Sequence, residues 1–313
     1  MKAIKPPRLR RGDVIGLVSP ASTPTPREKI QAAVRYLEGQ GYGVKVGQHA
    51  SKAWGYLAGT DEERAEDFNA MICDPQVNAI FALRGGYGSP RIISKITYRI
   101  LARHPKIISG FSDITALQLA IYRKCGLVTF SGPVPAGDFC KQVDPFTEEN
   151  FWRLLTSNKP VGELANPLPD RLEILREGRA EGVLLGGNLA LVASMIGTSL
   201  MPSLRGAVLV LEEVGEEPYR VDRMFAQLNN AGVLRGLEGL LLGQFTKCEP
   251  KDPAKPHLTI DFVLREYAEF VEGPVLGNVL YGHVPKKLTM PFGMVAQVDA
   301  QKRKIRVPEG AVV

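Results

Sequence analysis

Three side chains in this sequence have the types and settings that acyl transfer needs. Ser112 sits in Gly110-Phe111-Ser112-Asp113, between an apolar run at Ile107 to Ser109 and a helical pattern. A strand, tight turn and helix in that order would lift one hydroxyl out of a sheet edge. A serine hydroxyl is a poor nucleophile and needs an adjacent base. His283, in the loop Tyr281-Gly282-His283-Val284-Pro285 after an apolar strand, is the candidate base. His49, His104 and His257 lie at a strand end, beyond a basic helix end and in a Lys/Pro-rich loop, and suit the task less. Glu212 closes the apolar run Ala207 to Leu211 and is the candidate orienting acid. A carboxylate there is costly to desolvate unless it is paired, for example with imidazole. Glu213 would point to the opposite side, and Glu216 and Glu217 follow in a loop. Spacing alone leaves the choice of acid open, while strand-end position favours Glu212.

An acyl-transfer site also needs donors for the developing oxyanion. The Asp113 N–H lies next to the serine, and Arg84-Gly85-Gly86-Tyr87-Gly88 would bring bare backbone donors, Gly86 first among them. That turn lacks the spacing of a dinucleotide fingerprint or a Walker loop. Arg84, with Gly85 and Tyr87 beside it, is the candidate for receiving substrate carboxylates. Its guanidinium reads equally well as the partner of a buried acid. The setting of Ser112 departs from the Gly-x-Ser-x-Gly elbow, because Ile114 stands where the second glycine belongs. A serine at this place also reads as the cap of the helix that follows.

The elements that must hold these residues alternate between strand and helix patterns. Asp13 to Val18 predicts a first strand, Arg27 to Gln40 a helix stopped at Gly41, and Tyr42 to Val46 a second strand. Thr60 and Glu63 have the spacing of a capping box at the start of another helix. Val77 to Leu83 leads into the Gly-rich turn, Pro90 to Leu101 reads as helical, and Thr115 to Lys124 follows the serine. Repeated βα units imply an N-terminal domain, residues 1–135, with a mostly parallel sheet flanked by helices. Residues 136–180 read as the connection between domains, and 181–313 as a second, smaller α/β or β-rich domain. The second domain would carry the acid and the base.

A chain of 313 residues suffices for two cores, and its 44% apolar and 23% charged residues are those of a globular protein. The net charge of +6 is spread thinly, densest at Lys2 to Arg11, Lys286-Lys287 and Lys302 to Lys304. These read as solvated faces without aromatic interleaving, so no nucleic-acid partner is expected. Four cysteines show no CxxC pair and no metal-ligand spacing, and are expected as buried free thiols in a reducing compartment. No cofactor or metal is expected. The apolar run at Val14 to Val18 is too short for a signal core and no segment approaches a membrane span, so a cytoplasmic protein is expected.

Taken in order, these segments resemble the LD-carboxypeptidase family of serine peptidases, which includes the microcin-immunity peptidases. Pro6-Pro7, Gly12-Asp13 and Ser19-Pro20-Ala21 begin the resemblance, followed by RGGYG at 84–88 and GFSDITAL at 110–117. EGVLLGGNLALV at 181–192, LEEVGEEPYRVDRM at 211–224 and GNVLYGHVPKKLTMPFG at 277–293 complete it. The resemblance implies a Ser-Glu-His triad at Ser112, Glu212 and His283, with a site between two domains. The Asp113 and Gly86 N–H groups would form the oxyanion hole. It implies metal-free removal of a C-terminal D-Ala from the L-centre, meso-diaminopimelate or lysine, of a muropeptide tetrapeptide in peptidoglycan recycling, by a homodimer. The alternatives are a microcin-type hydrolase of peptidyl- or aminoacyl-nucleotide toxins, an ordinary α/β-hydrolase esterase and a small-molecule binding protein. The short stretch from Gly243 to Thr259, with Phe245 as its single aromatic, favours the muropeptide.

Overall fold

The computed structural model describes residues 3–313, so Lys2 of the first basic stretch lies outside the described residues. The chain divides into two compact units. The first runs to Lys159 and takes in Thr289–Gly293 and Gly310–Val313; the second holds Pro160–Leu288 and Met294–Glu309.

In the first unit, β1 (Val14–Val18), α1 (Glu28–Gly39), β2 (Gly43–Val46), α2 (Asp61–Cys73) and β3 (Val77–Ala82) follow one another. Then come α3 (Tyr98–Arg103), β4 (Ile107–Gly110), α4 (Thr115–Cys125), β5 (Thr129–Ser131) and α5 (Pro145–Thr156). The sheet order is Met290–Phe292, β5, β4, β3, β1, β2, parallel throughout except for the Met290–Phe292 strand, which runs antiparallel to β5. Strands buried on both faces read as near-continuous apolar runs. Ile15, Leu17, Ile80, Phe81, Ile107 and Phe130 are accordingly at 0% exposure. The local signals behave as their chemistry dictates. Gly41 continues from α1 with φ +91°. The Thr60 and Glu63 side chains each bond the other's backbone N–H at the start of α2.

The stretch from Pro90 to Leu101 is not one helix. It forms two short 3₁₀ turns, Ser89–Arg91 and Ile93–Lys95, before α3. Ile92, Ile93, Ile96 and Thr97 crowd this stretch with β-branched side chains, which lower helix propensity. The Thr97 N–H is taken by Asn69 Oδ1 at 2.9 Å instead of by a helical carbonyl.

The second unit contains β6 (Gly162–Glu163), β7 (Glu173–Arg176), β8 (Arg179–Asn188), α6 (Leu189–Met195), β9 (Ala207–Val214) and α7 (Pro218–Asn230). It continues with β10 (Gly239–Thr246), α8 (Ile260–Ala268), β11 (Val275–Gly277), and, past β12 (the Met290–Phe292 strand of the first unit), β13 (Val295–Asp299) and β14 (Lys304–Val307). Its eight-stranded sheet has the order β6-β14-β13-β8-β9-β10-β11-β7. β8 to β11 are parallel, and β13 and β7 join their two sides antiparallel. The stretch 136–180, expected as a connection, contains α5 in the first unit and β6 and β7 in the second.

Two surface expectations change. Lys287 is buried, so Lys286-Lys287 is not a solvated basic face. Cys125 and Cys248 are buried and their thiols are pushed up to about 11 by burial, but Cys73 is exposed. Among the described residues, no helix is long and apolar enough to cross a membrane.

Candidate active site

In parallel sheets the reactive groups collect outside the carboxyl ends of the strands. In the first unit three such ends lie side by side: Ser19 to Ser22 after β1, residues 84–89 after β3 and Ser112 after β4. Ser112 has φ +64°, a left-handed backbone that a side chain seldom accepts and that sharp strand-to-helix turns impose. The missing second glycine finds its explanation in Gly110. A Cβ there would lie 2.6 Å from Ile114 Cγ2, so the buried isoleucine packs directly over the glycine that precedes the turn. One glycine and one large residue thus make the close approach that two glycines make in the ordinary elbow.

The Gly-rich turn lies against Ser112. A Cβ on Gly85 would stand 2.8 Å from both the Phe111 carbonyl oxygen and Ser112 Cβ, and 3.2 Å from the Asp113 nitrogen. Gly86 has φ +110°, and a Cβ there would fall 2.5 Å from Ser22 Oγ. Among the described residues the Gly86 N–H meets no acceptor. Asp113 is buried, and burial raises its carboxyl above the usual carboxylate range against the pull of its amide donors. Its carboxylate accepts the Ser89 N–H at 2.7 Å and the Gly88 N–H at 3.3 Å.

Arg84 lines an open cavity of about 570 Å³ together with Ser22, Thr23, Arg27 and Tyr56. Its Nη1 donates to the Thr23 carbonyl at 3.3 Å. Tyr87 is half exposed and meets Tyr56 edge to face, with ring centroids 5.2 Å apart.

In the second unit, β9 carries Glu212 and Glu213, both buried. Glu212 Oε2 lies 2.8 Å from His283 Nδ1. A carboxylate only accepts, so the Glu212 contact holds a ring proton on Nδ1. Asn188, at the end of β8 in register with Glu212, donates its amide to Glu212 Oε1 at 3.3 Å and to Glu213 Oε1 at 2.8 Å. Glu213 also accepts the Ala190 and Val214 N–H groups, which places it at the start of α6 and away from the imidazole. Glu216 and Glu217 face Arg220 and Lys251. The contact with His283 therefore selects Glu212 from four nearby acids.

The His283 loop is fixed by β10. Its pairing with β9 slips between Leu242 and Phe245. At that irregularity the Gln244 N–H donates to the Tyr281 carbonyl at 2.8 Å. A Cβ on Gly243 would come within 2.3 Å of the same carbonyl oxygen and 3.2 Å of Glu212 Cβ. Gly282, at φ +154°, lets the chain turn so that His283 follows. Of the other histidines, His49 is buried with Nδ1 3.0 Å from Asp67 Oδ1. His257 Nδ1 lies 2.8 Å from the Lys255 carbonyl, and His104 is exposed. Ser112 belongs to the first unit and the Glu212–His283 pair to the second.

The sequence profile of the LD-carboxypeptidase N-terminal domain matches residues 15–132, and that of the LD-carboxypeptidase C-terminal domain matches residues 181–298. The chain belongs to the LD-carboxypeptidase family. A "probable murein peptide carboxypeptidase" of Bacillus subtilis is 36% identical to this family member, over 98% of this chain and 95% of its own length. The structure of a muramoyltetrapeptide carboxypeptidase from Oxalobacter formigenes superposes with a TM-score of 0.82 at 30% identity, covering 95% of this chain and 98% of its own. The microcin C7 self-immunity protein MccF, in complex with aspartyl sulfamoyl adenosine, superposes with a TM-score of 0.88 at 28% identity, covering 99% of this chain and 100% of its own.

Two residues of this LD-carboxypeptidase chain escape a reading by motif. Asn188 ends an apolar strand, where an amide reads as a helix cap, and it does accept the Leu191 N–H. Its second role, holding two carboxylates, depends on register with β9. Arg64 looks like one of many surface charges on α2 but is 1% exposed. Its Nη1 donates to the Pro20 and Gly88 carbonyls, and its Nη2 to Asp61.

Proposed function

We propose that this chain removes the C-terminal D-residue from a murein peptide by an acyl-enzyme route. Ser112 is the nucleophile, His283 the general base and Glu212 the carboxylate that orients the imidazole. The observation that carries this reading is the His283–Glu212 pair, a buried acid 2.8 Å from the Nδ1 of a loop histidine. His283 Nε2 takes the Ser112 proton as Oγ bonds to the scissile carbonyl carbon, and Glu212 stabilises the imidazolium. The imidazolium then gives its proton to the departing amine, leaving the acyl on Ser112, and His283 activates a water that releases the peptide. The N–H groups of Asp113 and Gly86 receive the oxyanion, and one such donor accounts for about 3–4 kcal/mol of transition-state stabilisation. Arg84, with Gly85 and Tyr87 beside it in the sequence, is offered for the substrate carboxylates, as a guanidinium lining an open cavity suits an anion.

The relatives named for murein peptides support the substrate class. We propose further that the enzyme works in the cytoplasm, in peptidoglycan recycling, as a homodimer. Sedimentation velocity at micromolar concentration checks the last point, and a monomer there would remove it.

The test is release of D-Ala from L-Ala-γ-D-Glu-meso-diaminopimelate-D-Ala in EDTA, for the wild type and for Ser112→Ala. Release by the wild type alone supports the reading, and release by both proteins sinks the serine mechanism. A second reading, cleavage of an aminoacyl-nucleotide amide, draws on the likeness to MccF. Against it, Phe245, the aromatic of the 243–259 stretch, packs on Phe225 with ring centroids 6.3 Å apart. Incubation with aspartyl sulfamoyl adenosine decides: its hydrolysis without D-Ala release would make this second reading the better one.

A further inference from the structure

The loop that offers Gly86 has no regular hydrogen-bonded element of its own from residue 84 to residue 88. An oxyanion donor on such a loop works only if something holds it, since a misplacement of about 1 Å can cost two orders of magnitude in rate. Ser22 holds its middle, accepting the Tyr87 N–H at 3.1 Å and donating its own N–H to the Gly85 carbonyl at 3.4 Å, and a buried carboxylate holds its end. Asp113 is 1% exposed, and its two carboxylate oxygens take the Gly88 and Ser89 N–H groups at 3.3 and 2.7 Å. Ser89 returns a bond from its hydroxyl to the Asp113 carbonyl oxygen. From the other side Arg64, equally buried, donates to the Gly88 and Pro20 carbonyls. Gly88, at φ +128°, is the point where the two meet: a Cβ there would lie 3.0 Å from Arg64 Nη1.

We infer that the Asp113 carboxylate is a positioning residue, which clamps residues 86–89 to the serine turn and thereby sets the spacing between the Gly86 and Asp113 N–H groups. The inference rests on the proposed function, in which those two groups receive the oxyanion. Asp113 stands immediately after the serine because only there can one residue present its N–H to the oxyanion and its carboxylate to the neighbouring loop. Burial pushes the Asp113 carboxyl up, the Ser89 and Gly88 donors oppose it, and Arg64, paired with Asp61, adds a smaller pull in the same direction as those donors. An asparagine keeps one acceptor for Ser89, but its amide nitrogen faces the Gly88 N–H, and two donors repel.

Asp113→Asn and Ser89→Ala are compared with the wild type by D-Ala release and by the rate at which a fluorophosphonate labels Ser112, read by intact mass. In labelling, Ser112 Oγ bonds to phosphorus and fluoride leaves, so the reaction needs the oxyanion donors but no particular peptide. In Asp113→Asn, kcat and labelling rate fall about 10²-fold while KM stays within about threefold. In Ser89→Ala both rates fall about three- to tenfold. Folding is confirmed by a cooperative melt, and Ser89→Ala carries the test if Asp113→Asn does not fold. Undiminished kcat and labelling in the folded variants would overturn the inference and leave the proposed function standing. Wild-type labelling without D-Ala release would remove the murein substrate, and the labelling rates would still decide for or against the clamp. A wild type unlabelled at Ser112 would overturn the nucleophile and the clamp together.

Discussion

At the scale of single residues, β9 sets two adjacent buried acids to different tasks through what each one meets. Glu212 has the imidazole and one amide; Glu213 has backbone donors and the same amide. Glu212→Gln keeps the shape but offers an amide nitrogen or a weaker acceptor to Nδ1, so the imidazole loses its fixed tautomer. Its kcat for D-Ala release should fall about 10³- to 10⁴-fold with KM little changed; a loss under tenfold would remove Glu212 from the mechanism. Glu213 yields a prediction about pH. Burial raises its carboxyl above the usual range, with its amide donors opposing. The folded state therefore holds this proton more tightly than the unfolded chain does. Stability contributed by the group rises as pH falls from the raised value to the ordinary one near about 4.3, and is lost as pH climbs back. The Tm of the wild type relative to Glu213→Gln should then improve as pH drops through that window. A Tm difference that is flat, or that slopes the other way, contradicts the assignment.

At the scale of elements, the chain's own punctuation decides where side chains arrive. Gly243 is a small residue at a slip in the β9–β10 pairing, and a Cβ there would strike the Tyr281 carbonyl two residues before His283. Gly243→Ala should cost about 1–3 kcal/mol of stability and at least about tenfold in kcat through displacement of the His283 loop. Thermal melts and D-Ala kinetics read both, and unchanged kcat would detach the bulge from the site. The capping box of α2 makes a contrast: Thr60→Ala should cost about 1 kcal/mol and leave kcat alone. Such local devices were legible in the sequence, because a cap, a C-terminal glycine or a strand-turn-helix needs only near neighbours. The settings of the proposed triad, Ser112, His283 and Glu212, were legible for the same reason, each following an apolar run. What stayed hidden depends on register and on long reach. The Pro90–Leu101 pattern has helical spacing, yet Asn69, from another element, takes the Thr97 N–H. Arg64 and Asn188 act through carbonyls and carboxylates 24 or more positions away.

At the scale of the whole molecule, the boundary between units does not follow the chain. The chain passes from one unit to the other after Lys159, Leu288, Gly293 and Glu309. Three consecutive stretches, 1–135, a connection at 136–180 and 181–313, do not contain these returns, because β12 is three residues long and carries no local sign of which sheet it joins. Its Met290, Pro291 and Phe292 pair with Ser131, Phe130 and Thr129 of β5, and Met290 and Phe292 are buried. Cutting the gene after Lys159 therefore leaves β5 as an open apolar edge, and unpaired strand edges template association. The fragment 1–159, expressed alone, should bind a hydrophobic dye, elute as aggregate and lose the cooperative melt of the full chain. A monomeric fragment with a sharp melt would show that β12 adds little to the first unit. The expected failure has a functional side, since β12 begins seven residues after His283 in the sequence. The residues that leave the proposed base enter the sheet that carries the proposed nucleophile, so one short connection ties the chemistry of the second unit to the fold of the first.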